Sequence, residues 1–138
     1  FIKAIGFGHI HIFSYSHRAG TRAAKLAGQV SSEIKKARSK ALSELAKILK
    51  KEALSAMLGQ MTKVLWESGV EPLANNRYRY SGYTGNYHRV ISEASGDLAG
   101  LILPIKIINL SSDGQYLTGD IALPNLPLKQ PLISVKQL

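Results

Sequence analysis

The sequence predicts an α+β protein in which a long basic amphipathic helix precedes a small five-stranded antiparallel β-barrel. Apolar residues recur every three or four positions between residues 31 and 58, and after Gly59 the pattern changes to the alternation of strands. The length of 138 residues suits one domain, or two very small ones, with room for a core. The pattern divides the chain into four segments: residues 1–29, 30–59, 60–123 and 124–138.

The first segment is predicted to hold one strand, which opens into a glycine-containing loop. Residues 9–13, "HIHIF", are β-branched and aromatic, so a strand is expected at about 9–14, followed by the loop "SYSHRAGT". Loops at strand ends often carry chemistry. His9 and His11 would point to one side of this strand, but His17 is the only further ligand nearby, so packed or hydrogen-bonded histidines are favoured over a metal site.

The second segment carries the strongest helix pattern in the sequence. Ser31 or Ser32 can cap the first amides, Glu33 lies near the positive end of the helix dipole, and Gly59 ends the helix. One apolar stripe contains Ile34, Ala41, Leu42, Leu45, Ile48 and Leu49. The opposite face carries Lys35, Lys36, Lys40, Lys47, Lys50 and Lys51. We interpret this face as solvated, with direct RNA contact as the alternative.

The third segment contains five short strand-like runs separated by turn residues, which is typical of a small barrel of the oligonucleotide-binding type. These runs are residues 60–67, 76–84, 86–92, 101–108 and 116–123. Gly85 and Asn86 suit a two-residue hairpin turn. The fourth segment contains three prolines without a period, which predicts an extended arm that is ordered by crossing onto a neighbour.

The hairpin "RYRYSGYTGNYHRV" is the candidate RNA platform, because tyrosines stack on unpaired bases and arginines hold phosphates. Its candidate RNA-binding residues are Arg77, Arg79, Tyr80, Tyr83, Asn86, Tyr87, His88 and Arg89. A two-residue turn would place Tyr80, Tyr87 and Arg89 on one face and Arg79, Tyr83 and His88 on the other. The alternative is that the tyrosines fill the barrel and the arginines are rim charges.

Composition narrows the classes of function. A net charge of +9 favours a polyanion such as nucleic acid, although basic charge also serves solubility alone. The absence of cysteine excludes disulfides, thiolate metal sites and cysteine nucleophiles from this chain, and is compatible with the cytoplasm. No apolar run approaches membrane-helix length, so no membrane partner is expected. The N-terminus lacks Met and a signal-peptide layout, so the chain is expected to be a piece of something longer.

Two motifs together resemble the radical-SAM methylthiotransferase family. The Tyr-Ser-x-Arg-x-Gly-Thr loop at residues 15–21 is similar to the loop that ends the radical-SAM barrel of that family. The Gly-Tyr-Thr-x-Asn-Tyr-x-x-Val hairpin at residues 82–90 is similar to that of the TRAM domain that closes those enzymes. The hairpin most resembles the branch that thiomethylates N6-threonylcarbamoyladenosine beside the tRNA anticodon. Departures are Gly85, where an acidic residue is common, and the segment after residue 123.

The resemblance implies that this chain is the C-terminal part of a three-part enzyme that uses two [4Fe–4S] clusters and S-adenosylmethionine. This chain would hold no cofactor, metal or catalytic residue, and would be inert alone. Its partners would be the tRNA anticodon arm, the remainder of the parent enzyme, and a further copy through the N-terminal strand or C-terminal arm. A cofactor- or substrate-adjacent loop would contain Tyr15, Ser16, Arg18, Gly20 and Thr21. The alternatives are a stand-alone RNA-binding or protein-docking barrel, or the isopentenyladenosine or ribosomal-protein branch.

Overall fold

The computed structural model describes residues 1–122 and confirms the α+β class, with one long helix and a closed five-stranded barrel. The chain forms two compact units, Phe1–Ala53 and a second that begins at Leu54. The predicted arm at residues 124–138 lies outside the described residues. Within residues 1–122, no helix has the length and apolarity that a membrane crossing requires.

The strand predicted at residues 9–14 is not formed. The segment before the long helix contains only the short helix α1, Ile2–Ile5, and a 3-10 turn at Ala23–Lys25. A strand is stable only when its backbone hydrogen bonds are made by a neighbouring strand, and no described strand pairs with residues 9–14. Contact of this segment with another copy of the chain stays a prediction.

The long helix α2, Ser32–Ser55, forms as predicted. Ser31 is its cap, because its Oγ accepts a hydrogen bond from the Ile34 amide at 3.4 Å. The chain turns away at Gly59, whose φ of 77° favours glycine. The apolar stripe is covered unevenly, since Leu49 is buried whereas Ile34 and Ile48 are about half exposed.

The second unit is a closed barrel with strand order β1-β2-β3-β5-β4. Its strands are β1 Met61–Pro72, β2 Tyr78–Thr84, β3 Arg89–Ala94, β4 Ile102–Leu110 and β5 Leu117–Ile121. All neighbours are antiparallel except β3 and β5, which pair in parallel over two residues. The five strands therefore correspond to the five predicted runs, but the barrel is not wholly antiparallel. Closure leaves no strand edge unpaired around the barrel.

The barrel core combines inward-facing strand residues with Leu54 from the last turn of α2. Its largest fully buried side chains are Trp66, Tyr80, Leu54, Leu98, Ile105, Ile107, Leu117, Val64 and Val90. Three buried polar side chains, Thr84, His88 and Ser92, lie on the inner face of the β2–β3 hairpin. The Ser92 hydroxyl donates to the Gly119 carbonyl at 2.8 Å, which joins β3 to β5.

The turn of the β2–β3 hairpin is one residue longer than predicted. Tyr83 pairs with Arg89, and the Thr84 amide donates to the His88 carbonyl at 3.0 Å, so Gly85, Asn86 and Tyr87 form the turn. Tyr87 adopts a φ of 62° to close it. Since successive strand residues alternate between faces, the extra residue exchanges the faces of the returning strand.

The prediction that Tyr80 shares a face with Arg89 is therefore wrong, as is the prediction that His88 shares one with Arg79. His88 lies inside with Tyr80, and Arg89 lies outside with Arg79 and Tyr83. The outer face of this hairpin consequently carries a different set of side chains from the predicted one.

Candidate nucleic-acid interface

The loop at residues 14–21 forms the tight turn that its glycine predicts. The Thr21 amide donates to the Arg18 carbonyl at 3.3 Å, and Gly20 adopts a φ of 82° inside this turn. The Thr21 hydroxyl donates to the same carbonyl at 2.9 Å and accepts from the Ala24 amide at 3.3 Å. Thr21 therefore joins the turn to the 3-10 turn that follows.

The same loop contacts α2 within the first unit. The Lys35 ammonium lies 3.3 Å from the Tyr15 carbonyl oxygen and 5.9 Å from the centre of the Tyr15 ring. The Ser14 and Ser39 hydroxyls are hydrogen-bonded at 3.0 Å. Tyr15, Ser16 and Arg18 are all exposed, so they are accessible to a partner. Their role beside a cofactor or substrate stays a prediction.

Two of the predicted RNA-binding arginines are occupied by ion pairs. Arg79 contacts Glu71 at 3.0 Å and Glu93 at 3.4 Å. Arg77 contacts Glu93 at 3.4 Å. The hairpin is acid-free in local sequence, but β1 and the far end of β3 bring these carboxylates to it. Glu71 is the main cause of a raised pKa at Arg79, and Glu93 adds to it.

Two further predicted residues are buried and cannot meet RNA through their side chains. Tyr80 is fully buried, and its hydroxyl donates to the Gly96 carbonyl at 3.0 Å. His88 is 8% exposed. The alternative interpretation, that tyrosines fill the barrel, is therefore correct for Tyr80. The buried and exposed residues of this hairpin could have been told apart only by assigning Tyr87 to the turn, because the length of the turn determines which side chains face inward.

The exposed part of the hairpin is a smaller set that we call the hairpin platform: Tyr83, Tyr87 and Arg89. Tyr87 is 83% exposed at the tip of the turn, which suits a ring that stacks on an unpaired base. Arg89 lies opposite Tyr83 on the outer face. Asn86 is exposed beside Tyr87, and its side-chain oxygen accepts from the Thr84 hydroxyl at 2.5 Å, so it supports the turn.

A groove of about 410 Å³ lies beside the hairpin platform. Arg79 and Arg89 line it together with Glu67 and Glu71. Glu67 also accepts a hydrogen bond from the Ser81 hydroxyl at 2.7 Å, which holds its carboxylate at this face. Carboxylates repel phosphate, so Glu67 and Glu71 weaken the attraction of this groove for a nucleic-acid backbone.

The positive charge of the chain is concentrated in the first unit. Residues 1–53 contain 11 Lys and Arg and 3 acidic residues, whereas residues 54–122 contain 5 and 6. The described part of the barrel unit is therefore almost neutral, although the whole chain carries +9. Any strong attraction to a polyanion must come from the first unit more than from the barrel.

The residues of this chain do not fit an iron–sulfur cluster. Such clusters are held by cysteine thiolates, and the 138 residues contain no cysteine. The described residues also contain no group of three His, Cys, Asp or Glu side chains placed to hold a metal ion. His9 and His11 contact each other, with their Nε2 atoms 3.2 Å apart.

Comparison with known proteins finds relatives that share one chemistry. No family model matches the sequence. The chain is 31% identical over 120 residues to the threonylcarbamoyladenosine tRNA methylthiotransferase MtaB of Bacillus subtilis, which covers 85% of this chain and 26% of the relative. It is 35% identical over 106 residues to the tRNA-2-methylthio-N(6)-dimethylallyladenosine synthase of Akkermansia muciniphila, covering 77% of this chain and 22% of the relative.

The name of a third relative specifies a ribosomal protein instead of tRNA. The chain is 33% identical over 67 residues to the ribosomal protein uS12 methylthiotransferase RimO of Syntrophobacter fumaroxidans, covering 49% of this chain and 15% of the relative. The chain thus spans about a quarter or less of the length of these curated relatives. Of these three matches, the two with relatives whose names specify tRNA are longer than the one with RimO.

Proposed function

Because the chain belongs to the methylthiotransferase family over about four fifths of its length, we propose that it is the C-terminal, tRNA-binding part of such an enzyme. The proposed reaction converts N6-threonylcarbamoyladenosine beside the tRNA anticodon to its 2-methylthio derivative. The observation that carries this proposal is the match to the Bacillus subtilis enzyme over 85% of the chain. The hairpin motif at residues 82–90 supports the same branch.

The proposed role of this chain is to bind and orient the tRNA, not to perform the chemistry. Two [4Fe–4S] clusters and S-adenosylmethionine, held elsewhere in a cytoplasmic parent enzyme, would supply the sulfur and methyl group. On the hairpin platform, Tyr87 would stack on an unpaired base and Arg89 would pair with a phosphate. The loop residues Tyr15, Ser16, Arg18, Gly20 and Thr21 would lie beside the substrate or cofactor at the junction with the parent enzyme.

Mass spectrometry of tRNA nucleosides tests the reaction. A strain that lacks the gene for this protein is expected to lose 2-methylthio-N6-threonylcarbamoyladenosine and to accumulate the unthiolated nucleoside. Complementation with the full-length gene should restore it. Unchanged levels of the 2-methylthio nucleoside in the deletion strain would contradict the proposed branch.

A second candidate is the isopentenyladenosine branch, which the 35% identity with the Akkermansia muciniphila enzyme favours. The same tRNA sample distinguishes the two candidates. Loss of the 2-methylthio group from isopentenyladenosine, with threonylcarbamoyladenosine unaffected, would replace the first assignment by the second. If neither nucleoside loses its 2-methylthio group, the substrate to be tested next is the ribosomal protein.

Substitutions on the hairpin platform are expected to separate stacking from charge. Tyr87→Ala should weaken anticodon stem-loop binding by about 1–3 kcal/mol with little change in salt dependence, because a stacked ring is lost. Arg89→Ala should weaken binding similarly for all tRNAs and flatten the salt dependence by about one unit of slope. Binding isotherms at several salt concentrations measure both quantities.

Tyr87→Phe is the matched control, because it keeps the ring and removes only the hydroxyl. It should bind like the unchanged chain. If Tyr87→Ala binds equally well, the prediction of base stacking by this ring is wrong.

The competing class of function is a protein-docking barrel. This alternative would remain if the chain shows no salt-sensitive tRNA binding even at low salt.

A further inference from the structure

Helix α2 presents a continuous row of ammonium groups, which we call the lysine face. It consists of Lys36, Lys40, Lys47, Lys50 and Lys51. The successive separations of four, seven, three and one positions keep these residues within about one third of the helix circumference. Lys36, Lys40, Lys47 and Lys51 are exposed, and Lys50 is half-buried.

The helix separates this face from its apolar stripe. Leu42, Leu45 and Leu49 lie on the opposite side and are buried or half-buried. One ion pair lies at the border of the lysine face. Glu44 contacts Lys47 at 3.0 Å, but both side chains are more than half exposed, so the attraction is weak and screened by salt.

The dimensions of the lysine face suit an extended polyanion. From Lys36 to Lys51 the helix rises by about 22 Å, so one small anion can occupy only a fraction of this row. A nucleic-acid backbone presents repeated phosphates over such a length, and each phosphate that is neutralised releases condensed counterions. The described part of the barrel unit has 5 basic and 6 acidic residues and supplies little of this attraction, whereas the first unit carries a net charge of +8.

An anionic membrane surface is the rival partner, since basic amphipathic helices also lie on membranes. Such helices commonly carry aromatic anchors on the apolar side, and α2 contains no Phe, Trp or Tyr. Moreover, two relatives whose names specify tRNA match this chain over 120 and 106 residues. These observations favour RNA over lipid.

We propose that the lysine face binds the phosphate backbone of tRNA and supplies most of the salt-dependent part of tRNA binding. This inference rests on the proposed tRNA-binding function. It divides binding between two surfaces: the helix attracts the backbone without reading sequence, and the hairpin platform holds an unpaired base.

The test replaces Lys36, Lys40 and Lys51 together by glutamine. Glutamine removes the charge but retains high helix propensity, so circular dichroism should be unchanged. With an unmodified tRNA transcript as the probe, the slope of log K against log salt should flatten by about two units. Affinity at low salt should fall at least tenfold.

The matched control is the triple variant Lys3→Gln, Lys25→Gln and Lys106→Gln, which removes the same charge from exposed positions outside the lysine face. It should keep a slope close to that of the unchanged chain. A triple arginine variant at positions 36, 40 and 51 should also bind normally, because its charge is retained. Equal slopes for the glutamine variant and the control variant would overturn the proposal.

Two further outcomes distinguish the failure of this inference from failure of the proposed function. If the unchanged chain binds tRNA with a steep salt dependence that the glutamine variant preserves, the chain binds tRNA but the role proposed for the lysine face is wrong. If the unchanged chain binds no tRNA at low salt but sediments with phosphatidylserine vesicles, both proposals fall and the membrane interpretation replaces them.

Discussion

Replacing Tyr80 by alanine is expected to lower the free energy of unfolding of this chain by about 3–5 kcal/mol, because it removes a large aromatic side chain from a closed core. Tyr80 is fully buried among Trp66, Val90 and Leu117 in the core cluster of the barrel. The cavity left behind cannot close easily in a barrel whose strands are all hydrogen-bonded to neighbours. Urea unfolding followed by the fluorescence of the single tryptophan, Trp66, measures the loss.

Tyr80→Phe is the control, because it keeps the ring and removes the hydroxyl that donates to the Gly96 carbonyl. That hydrogen bond should contribute about 1 kcal/mol. An unchanged unfolding free energy for Tyr80→Ala, together with weaker tRNA binding, would show that this ring meets RNA after all. Tyr87→Ala should instead leave the free energy of unfolding unchanged and weaken tRNA binding, since the Tyr87 side chain is 83% exposed.

Replacing Gly82 by alanine is expected to destabilise the barrel by about 3 kcal/mol or more, the upper end of the range for overpacking a core. A Cβ atom at this position would lie 2.5 Å from the Leu65 carbonyl oxygen and 2.6 Å from Val64 Cγ1. The nearest of these atoms, the Leu65 oxygen, belongs to the backbone of the neighbouring strand, so no side-chain rotation removes that contact. The pairing of β1 with β2 would have to shift.

Gly85→Ala is the matched control in the same hairpin. No atom lies within 4 Å of the position that a Cβ would take, and its φ lies outside the positive range that penalises side chains. This variant should be neutral or more stable by about 0.4–1 kcal/mol, because alanine restricts the unfolded chain. Equal urea midpoints for the two alanine variants would contradict the close approach of β1 and β2 at Gly82.

Local patterns were sufficient to predict the long helix and the five barrel strands. The three- and four-residue spacing of Leu42, Leu45 and Leu49 predicts α2, and the cap at Ser31 is formed. The five alternating runs correspond to the five strands of the barrel. These predictions succeed because helix and strand periodicity depend on neighbours a few residues away.

The strand predicted at residues 9–14 shows the limit of such patterns. Its β-branched and aromatic residues favour extended backbone, but a strand also needs a hydrogen-bonding partner, which local sequence does not specify. Prediction of the candidate site from local sequence has the same limit. Glu71 and Glu93 lie on other strands, and only the barrel brings them to Arg79 and removes that arginine from the free positive charges.

The sequence by itself determined that this chain is basic, free of cysteine, built from one long helix and five strands, and similar to methylthiotransferases in two motifs. Only the tertiary structure decided which side of the β2–β3 hairpin meets solvent. One additional turn residue places Arg89 on the outer face and His88 on the inner face. Strand side chains alternate with a period of two, so every position after the turn changes face. Burial then withdrew Tyr80 from the candidate site and left Tyr83, Tyr87 and Arg89 exposed on the hairpin.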